Sequence, residues 1–327
     1  GSIFHLHLKP ENLANKVILV GDPGRVDTVA SYFDSQECDI QSREFHTITG
    51  TYQGKRISVI STGIGCDNCD IVINELDALK NIDFNTRENK EVMTSLEIVR
   101  IGTCGGLQPN TPIGTFICSE TSIGFDGLLN YYEGRDNVCN LEMEDAFKRH
   151  MNWHARLGDP YCIPNDAELL KRIYQPDKGM VKGITIACGG FYGPQGRRLR
   201  IPLADPLQNQ KIEEFEYNGA RINNFEMESS AIAGLSKLLG HKALTVCMVV
   251  ANRKAKEANA NYKNQIEDLI KLVNELKLAG AEAISINDER IINQYIEGIY
   301  NTILLKDVAT REKINDVSVL ENILKTV

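Results

Sequence analysis

Nowhere in this sequence do roughly 20 apolar residues follow one another, the length that a bilayer-spanning helix needs, so no membrane partner is expected. The N-terminal residues also lack the basic and apolar regions of a secretory signal, which sets the expectation of a cytoplasmic protein. Positive charge is in deficit. With 36 Lys and Arg against 44 Asp and Glu, the net charge is -8, and a field of that sign does not draw nucleic acid. Any anion site must therefore be assembled locally. No second CxxC accompanies Cys66-Asp67-Asn68-Cys69, so neither a paired-cysteine zinc site nor a redox motif is expected, and nine scattered cysteines read as free thiols. His150 and His154 are four residues apart, but no glutamate lies between them, which leaves them a surface or packing role rather than a metal. No internal period of roughly 20–50 residues is visible, which excludes a repeat array.

What is present is a globular composition, 42% hydrophobic and 24% charged, in a chain of 327 residues that can bury a large core. Short apolar runs read as buried strands at 16–20, where Gly21 stops the run, and at 57–60, 96–99, 114–119, 181–187 and 243–251, the last ended by Asn252-Arg253. Helical spacing follows several of them. Val26, Val29, Ala30 and Phe33 share one face, as do Ile71, Ile73, Leu76 and Leu79, and a closing amphipathic helix is expected at 262–278. Residues 81–95 turn polar, as a surface loop does. Residues 125–160 read as irregular and aromatic-rich, a lid or an interface. The alternation predicts an α/β fold with helices on both faces of a sheet whose ligand groups lie at strand ends.

Four stretches carry chemistry. Arg100-Ile101-Gly102-Thr103-Cys104-Gly105-Gly106 is expected to form a loop at a strand's end, where glycines admit a ligand to backbone N–H groups and an arginine offers a fork that fits phosphate. An ordinary strand-to-loop turn would also use those glycines. Gly21 to Arg25 makes a second anion cradle at a strand-to-helix junction. Phe191, Gln195 and Arg197 supply a flat face, an amide and a guanidinium, the equipment to hold a heterocycle. Glu226-Met227-Glu228 is read at a helix start, where carboxylates complement the dipole and can also grip a sugar diol.

Taken in order, Phe4-His5-Leu6, Gly21-Asp22-Pro23-Gly24-Arg25-Val26, Arg43-Glu44-Phe45, Ser61-Thr62-Gly63-Ile64-Gly65, Arg100-Ile101-Gly102-Thr103, Gln195-Gly196-Arg197 and Glu226-Met227-Glu228-Ser229 resemble the nucleoside phosphorylases, most closely the uridine phosphorylases, over residues 4–278. The resemblance implies a three-layer α/β/α catalytic domain with a central mixed, mostly parallel sheet. It implies phosphate binding by Gly21, Arg25, Arg100 and Thr103, with Arg43 reaching in from a neighbouring subunit. Ribose would meet Met227, Glu228 and a neighbour's His5, and the base would meet Phe191, Gln195 and Arg197. Arg197, Glu228 and Arg100 would carry the catalysis. The implied reaction is reversible phosphorolysis of a nucleoside in a homo-oligomer, dimer or hexamer, with phosphate as a substrate and no metal or organic cofactor. Purine-acting relatives place an aspartate just after the strand corresponding to 249–253, where this chain has none, which favours a pyrimidine. A nucleoside hydrolase, a purine phosphorylase and a non-catalytic nucleoside-binding protein stay open as alternatives.

Residues 279–327 fall outside this resemblance. Residues 279–286 resemble a segment of an unrelated bacterial family, and 295–324 a piece of some P-loop ATPases. The chain has no GxxxxGKS or GxxxxGKT, so no ATPase activity follows. Ile292, Tyr295, Ile296, Ile299 and Ile303 form an apolar helical stripe, and a mainly helical appendage of unknown role is expected there.

Overall fold

The computed structural model describes residues 1–252 and 257–258; the expected helix at 262–278 and the appendage at 279–327 lie outside them. In chain order the strands are β1 (Lys16–Val20), β2 (Ser35–Ser42), β3 (Phe45–Tyr52), β4 (Lys55–Ser61), β5 (Ile82–Asp83), β6 (Glu88–Asn89), β7 (Glu97–Gly106), β8 (Phe116–Gly124), β9 (Tyr161–Pro164), β10 (Val181–Ala187), β11 (Glu216–Tyr217), β12 (Ala220–Glu226), β13 (Lys242–Asn252) and β14 (Glu257–Ala258). The helices are α1 (Pro23–Ala30), α2 (Cys66–Asn81), α3 (Leu141–Met151), α4 (Ala167–Ile173), α5 (Gln208–Glu214) and α6 (Ser229–Leu238).

In β1, Val17 to Val20 are all buried, as a strand covered on both faces requires. It pairs in parallel with β4 on one side and β7 on the other, and β7 continues in parallel to β13. Antiparallel pairs lie beyond, among them β2–β3–β4, β8–β9, β11–β12 and the place where β8 meets β13, so the sheet is mixed. Its order runs β11-β12-β10-β8-β13-β7-β1-β4-β3-β2. One further pairing bends it. Asn224 and Phe225 of β12 lie against Gly106 and Gly105 of β7, which closes β7, β13, β8, β10 and β12 into a ring.

Helices cover both faces, giving the expected three layers. On one side α2 and α6 bury Val72, Ile73, Leu76, Ile232 and Leu235 against Val17, Leu19 and Ile98. On the other, Val26, Val29 and Leu169 from α1 and α4 pack on Ile18, Val20, Val99 and Leu244. Each such aliphatic side chain contributes about 1.5–3 kcal/mol on burial. Ser229 to Ser236 of α6 are buried without a break, because the helix is wedged between α2 and the sheet.

Three local expectations are corrected. Residues 100–106 are not a loop but the second half of β7, held by the β13 ladder. The strand expected at 114–119 is β8, which starts at Phe116 and runs on to Gly124. The irregular stretch at 125–160 contains α3, capped by the Asn140 side chain accepting from the Met143 N–H at 3.0 Å, with Met143, Phe147 and Met151 buried at helical spacing. Residues 81–95 do run over the surface, and include the small β5–β6 pair. No helix among the described residues is long and apolar enough to cross a membrane.

Candidate active site

The carboxyl ends of β1, β4, β7, β10 and β12 bring the sequence-predicted groups toward one place. Gly21 follows β1, and a side-chain carbon added there would lie 3.6 Å from the Gly63 carbonyl beyond β4. The Thr62 N–H donates to the Val20 carbonyl at 2.8 Å, fastening these two ends together. Asp22 caps α1 by accepting from the Gly24 N–H at 2.9 Å, and Arg25 stands half-buried in that first turn.

Gly65 sits at φ 106°, a conformation open to glycine, and its N–H donates to Glu228 Oε1 at 2.8 Å. The loop before α2 is thereby tied to the loop before α6. Cys66 Sγ donates to the Met227 carbonyl at 3.1 Å across the same junction.

Arg100 points from β7 into this junction and is 4% exposed. Its Nη2 donates to Glu228 Oε2, and its Nη1 lies 3.2 Å from Glu226 Oε2. Burial alone would push the guanidinium pKa down, but Glu228 and Glu226 more than offset this and hold Arg100 charged. Burial pushes the Glu226 carboxyl up, while Arg100 opposes the shift. Arg100 Nε is buried with no protein hydrogen-bond partner. Thr103 lies three residues along the same strand, half-buried.

The Glu226-Met227-Glu228 segment spans the junction of a strand with the expected helix start. Glu226 ends β12, Glu228 occupies the cap position, and α6 begins at Ser229. The Cys188 N–H donates to the Glu226 carbonyl at 2.9 Å, so the loop after β10 is joined to this segment. In that loop the Arg197 guanidinium lies 3.7 Å from the Phe191 ring centre, donates to the Phe191 carbonyl at 2.9 Å and donates to Gln195 Oε1. A carbon added at Gly105 of β7 would lie 4.0 Å from Arg197 Nη2. The heterocycle-type group thus stands beside the carboxyl end of the strand that carries Arg100.

His5 and Arg43 are not drawn into this cluster within one chain. His5 Nδ1 lies 2.6 Å from Glu75 Oε1 on α2, and the His5 and Leu6 N–H groups donate to the same carboxylate. Arg43 is exposed in the two-residue turn between β2 and β3, at φ 56°. Its neighbour Glu44 lies near Gly63, where an added carbon would come 3.2 Å from Glu44 Cγ.

All nine cysteines are free, and burial pushes the Cys66 and Cys69 thiols well up, so neither is a ready nucleophile. His150 Nε2 lies 2.7 Å from the Lys211 carbonyl, while His154 falls beyond the end of α3, so the two are not helix neighbours. Among the described residues no group of three metal-ligating side chains is gathered. Two residues escaped sequence reasoning: Glu75, which holds the His5 arm, and Glu226 as a partner of Arg100. The two-residue spacing of Glu226 and Glu228 was visible, but their convergence on Arg100 depends on the ring closure.

The Phosphorylase superfamily profile matches residues 15–284. A uridine phosphorylase of Thermococcus kodakarensis is 31% identical over 259 residues, 79% of this chain and 80% of that protein. A purine nucleoside phosphorylase DeoD-type of Bacillus velezensis is 26% identical over 273 residues, 82% of this chain and 96% of that one. A solved Trypanosoma brucei nucleoside phosphorylase, described as showing uridine phosphorylase activity, superposes with a TM-score of 0.76 at 31% identity, covering 84% of this chain and 97% of its own. Fold, spaced motifs and relatives agree: this chain belongs to the phosphorylase superfamily and is a pentosyltransferase of the nucleoside phosphorylase type.

Proposed function

We propose that the chain catalyses reversible phosphorolysis of a pyrimidine nucleoside, first of all uridine, giving uracil and ribose 1-phosphate. The observation that carries the reading is the Phe191–Gln195–Arg197 unit standing beside Gly105 and joined through Cys188 and Glu226 to the buried Arg100–Glu228 pair. A ring stacked on Phe191 would present its polar edge to the Gln195 amide and the Arg197 guanidinium.

Phosphate would be held by Arg100, Arg25, Thr103 and the backbone at Gly21, with Arg43 supplied by a neighbouring subunit. The orphaned Arg100 Nε supports this, since a buried donor left unpaired costs about 1–3 kcal/mol that an anionic oxygen would relieve. Glu228 would accept from the ribose hydroxyls with Met227 packed beside the sugar, and a neighbour's His5 would meet the 5′-hydroxyl. As the glycosidic bond stretches, positive charge grows on the sugar and negative charge on the base. Phosphate serves as partner of that cation and then as nucleophile, while Arg197 and Gln195 stabilise the departing base. No step calls on a metal or organic cofactor. The unit would be a homo-oligomer, dimer or hexamer, working in the cytoplasm.

The pyrimidine preference has local support. At the end of β13 the Asn252 amide donates to the carbonyls of Gln108 and Thr111, at 3.1 and 2.7 Å, and no carboxylic acid follows it at 253–256 to protonate a purine. Catalysis is assigned to residues 4–278, so a chain truncated after Leu278 should keep its turnover.

The test is release of base from uridine, thymidine, inosine and adenosine, each with and without phosphate. Uridine cleavage that requires phosphate is expected. Equal rates without phosphate would point to a hydrolase, and faster inosine cleavage would overturn the pyrimidine assignment.

A further inference from the structure

We infer that Glu226 is a positioning residue that anchors Arg100 and Glu228 to one another, so that both lose their places when its charge is removed. Its carboxylate lies at the last residue of β12, 1% exposed at the side chain. Oε2 accepts from the Glu228 N–H at 2.9 Å, both oxygens accept from the Ser229 N–H at 3.0 Å, and Oε1 accepts from Ser229 Oγ at 2.6 Å. The same Oε2 is 3.2 Å from Arg100 Nη1. One side chain thus clamps the first turn of α6, the backbone that carries Glu228, and the guanidinium on β7.

A carboxylate offers about four lone-pair positions, and these donors occupy them. Glu226 therefore has little left for substrate, and it acts through its neighbours. Arg100 uses one terminal nitrogen for each carboxylate, Nη1 for Glu226 and Nη2 for Glu228, so the planar fork is held from two sides. Without Glu226 the guanidinium would keep Glu228 as its one counter-charge, with only a weak donation from Nη1 to Cys247 Sγ at 3.4 Å beside it. The ribose hydroxyls would then compete with Arg100 for Glu228, and the α6 turn that aims Glu228 would lose its cap. The identity of what Arg100 and Glu228 bind rests on the proposed function; the clamp itself rests on the contacts above.

Glu226→Gln keeps the size but turns an acceptor into an NH2 that faces donors. It is expected to lower turnover and raise the KM for both nucleoside and phosphate, with kcat/KM down about a hundredfold, the penalty for a displacement near 1 Å. Glu226→Asp keeps the charge one methylene short and should recover part of the loss, to within about tenfold of wild type. A crystal structure of Glu226→Gln should show Arg100 or Glu228 moved, and inorganic phosphate titrated into it should bind more weakly than to wild type. The inference is overturned if folded Glu226→Gln has wild-type kcat and KM values. It is also overturned if both side chains stay in place in that crystal structure, or if Asp and Gln variants lose only thermal stability. Should wild type cleave no nucleoside, the functional reading fails, and the crystal structure alone decides the clamp.

Discussion

Arg100 on β7 and Glu228 at the start of α6 form a buried ion pair although 128 positions separate them in the sequence. The pair exists because Gly102, two residues along the same strand, leaves the guanidinium its space. A carbon added at Gly102 would lie 2.2 Å from Arg100 Nη1 and 2.7 Å from Cζ, both closer than real contacts allow.

Gly102→Ala should therefore fold but lose function. The atoms in the way belong to the end of a long side chain, so the arginine shifts at an overpacking cost of about 1–3 kcal/mol. Phosphorolysis should fall about a hundredfold if the displaced group holds phosphate as proposed. Urea unfolding and steady-state kinetics measure the two effects, and an Ala variant as active as wild type would show that the place of Arg100 is unimportant.

Arg197→Ala should lower uridine turnover far more than it weakens phosphate binding. Its guanidinium is held on Phe191 and Gln195, where negative charge would grow on the leaving base. By analogy with oxyanion donors, the loss should be about 2.7–4 kcal/mol of transition-state stabilisation. A near-wild-type rate would place the base elsewhere.

Arg43 lies in an exposed turn and His5 on the N-terminal arm, which suits groups that complete a neighbour's site. Inactive Arg43→Ala protein mixed with inactive Glu228→Ala protein should then regain activity as subunits exchange, since one site of a mixed dimer is intact. Full activity of a proven wild-type monomer would refute the shared site.

Stability should fall in acid for an identifiable reason. Burial would raise the Asp77 carboxyl, but the His241 ring 3.2 Å away and a hydrogen bond from the Asn81 amide at 2.6 Å outweigh it and hold Asp77 below its ordinary 3.8. Glu97 is likewise held below 4.5 by Lys16 and Arg172, against its burial. A carboxyl with a depressed folded pKa contributes stability above its unfolded value and loses it as pH falls through the folded one. The thermal midpoint should thus decline steeply below about pH 4, more gently in Asp77→Asn. Equal profiles would mean that Asp77 contributes nothing.

The sequence by itself determined the layers and most of the segments that make up the candidate site. Lys16 to Val20, Val181 to Ala187 and the helical stripe of α2 announce themselves because burial on one or both faces selects apolar residues at a local period. Polar edge strands did not announce themselves. β2, with the sequence SQECDIQS, is largely exposed and carries almost no hydrophobic signal. Asn224 and Glu226 likewise hide the end of β12, and α3 was lost among aromatic residues although its cap and apolar spacing were present. Only the tertiary structure decided that β12 closes against β7 at Gly105 and Gly106, because such pairing is chosen by packing across more than 100 residues of chain rather than by neighbours in sequence. That closure brings Glu226 and Glu228 to Arg100, and two carboxylates that local pattern reads as helix-dipole partners become the buried counter-charges of one arginine.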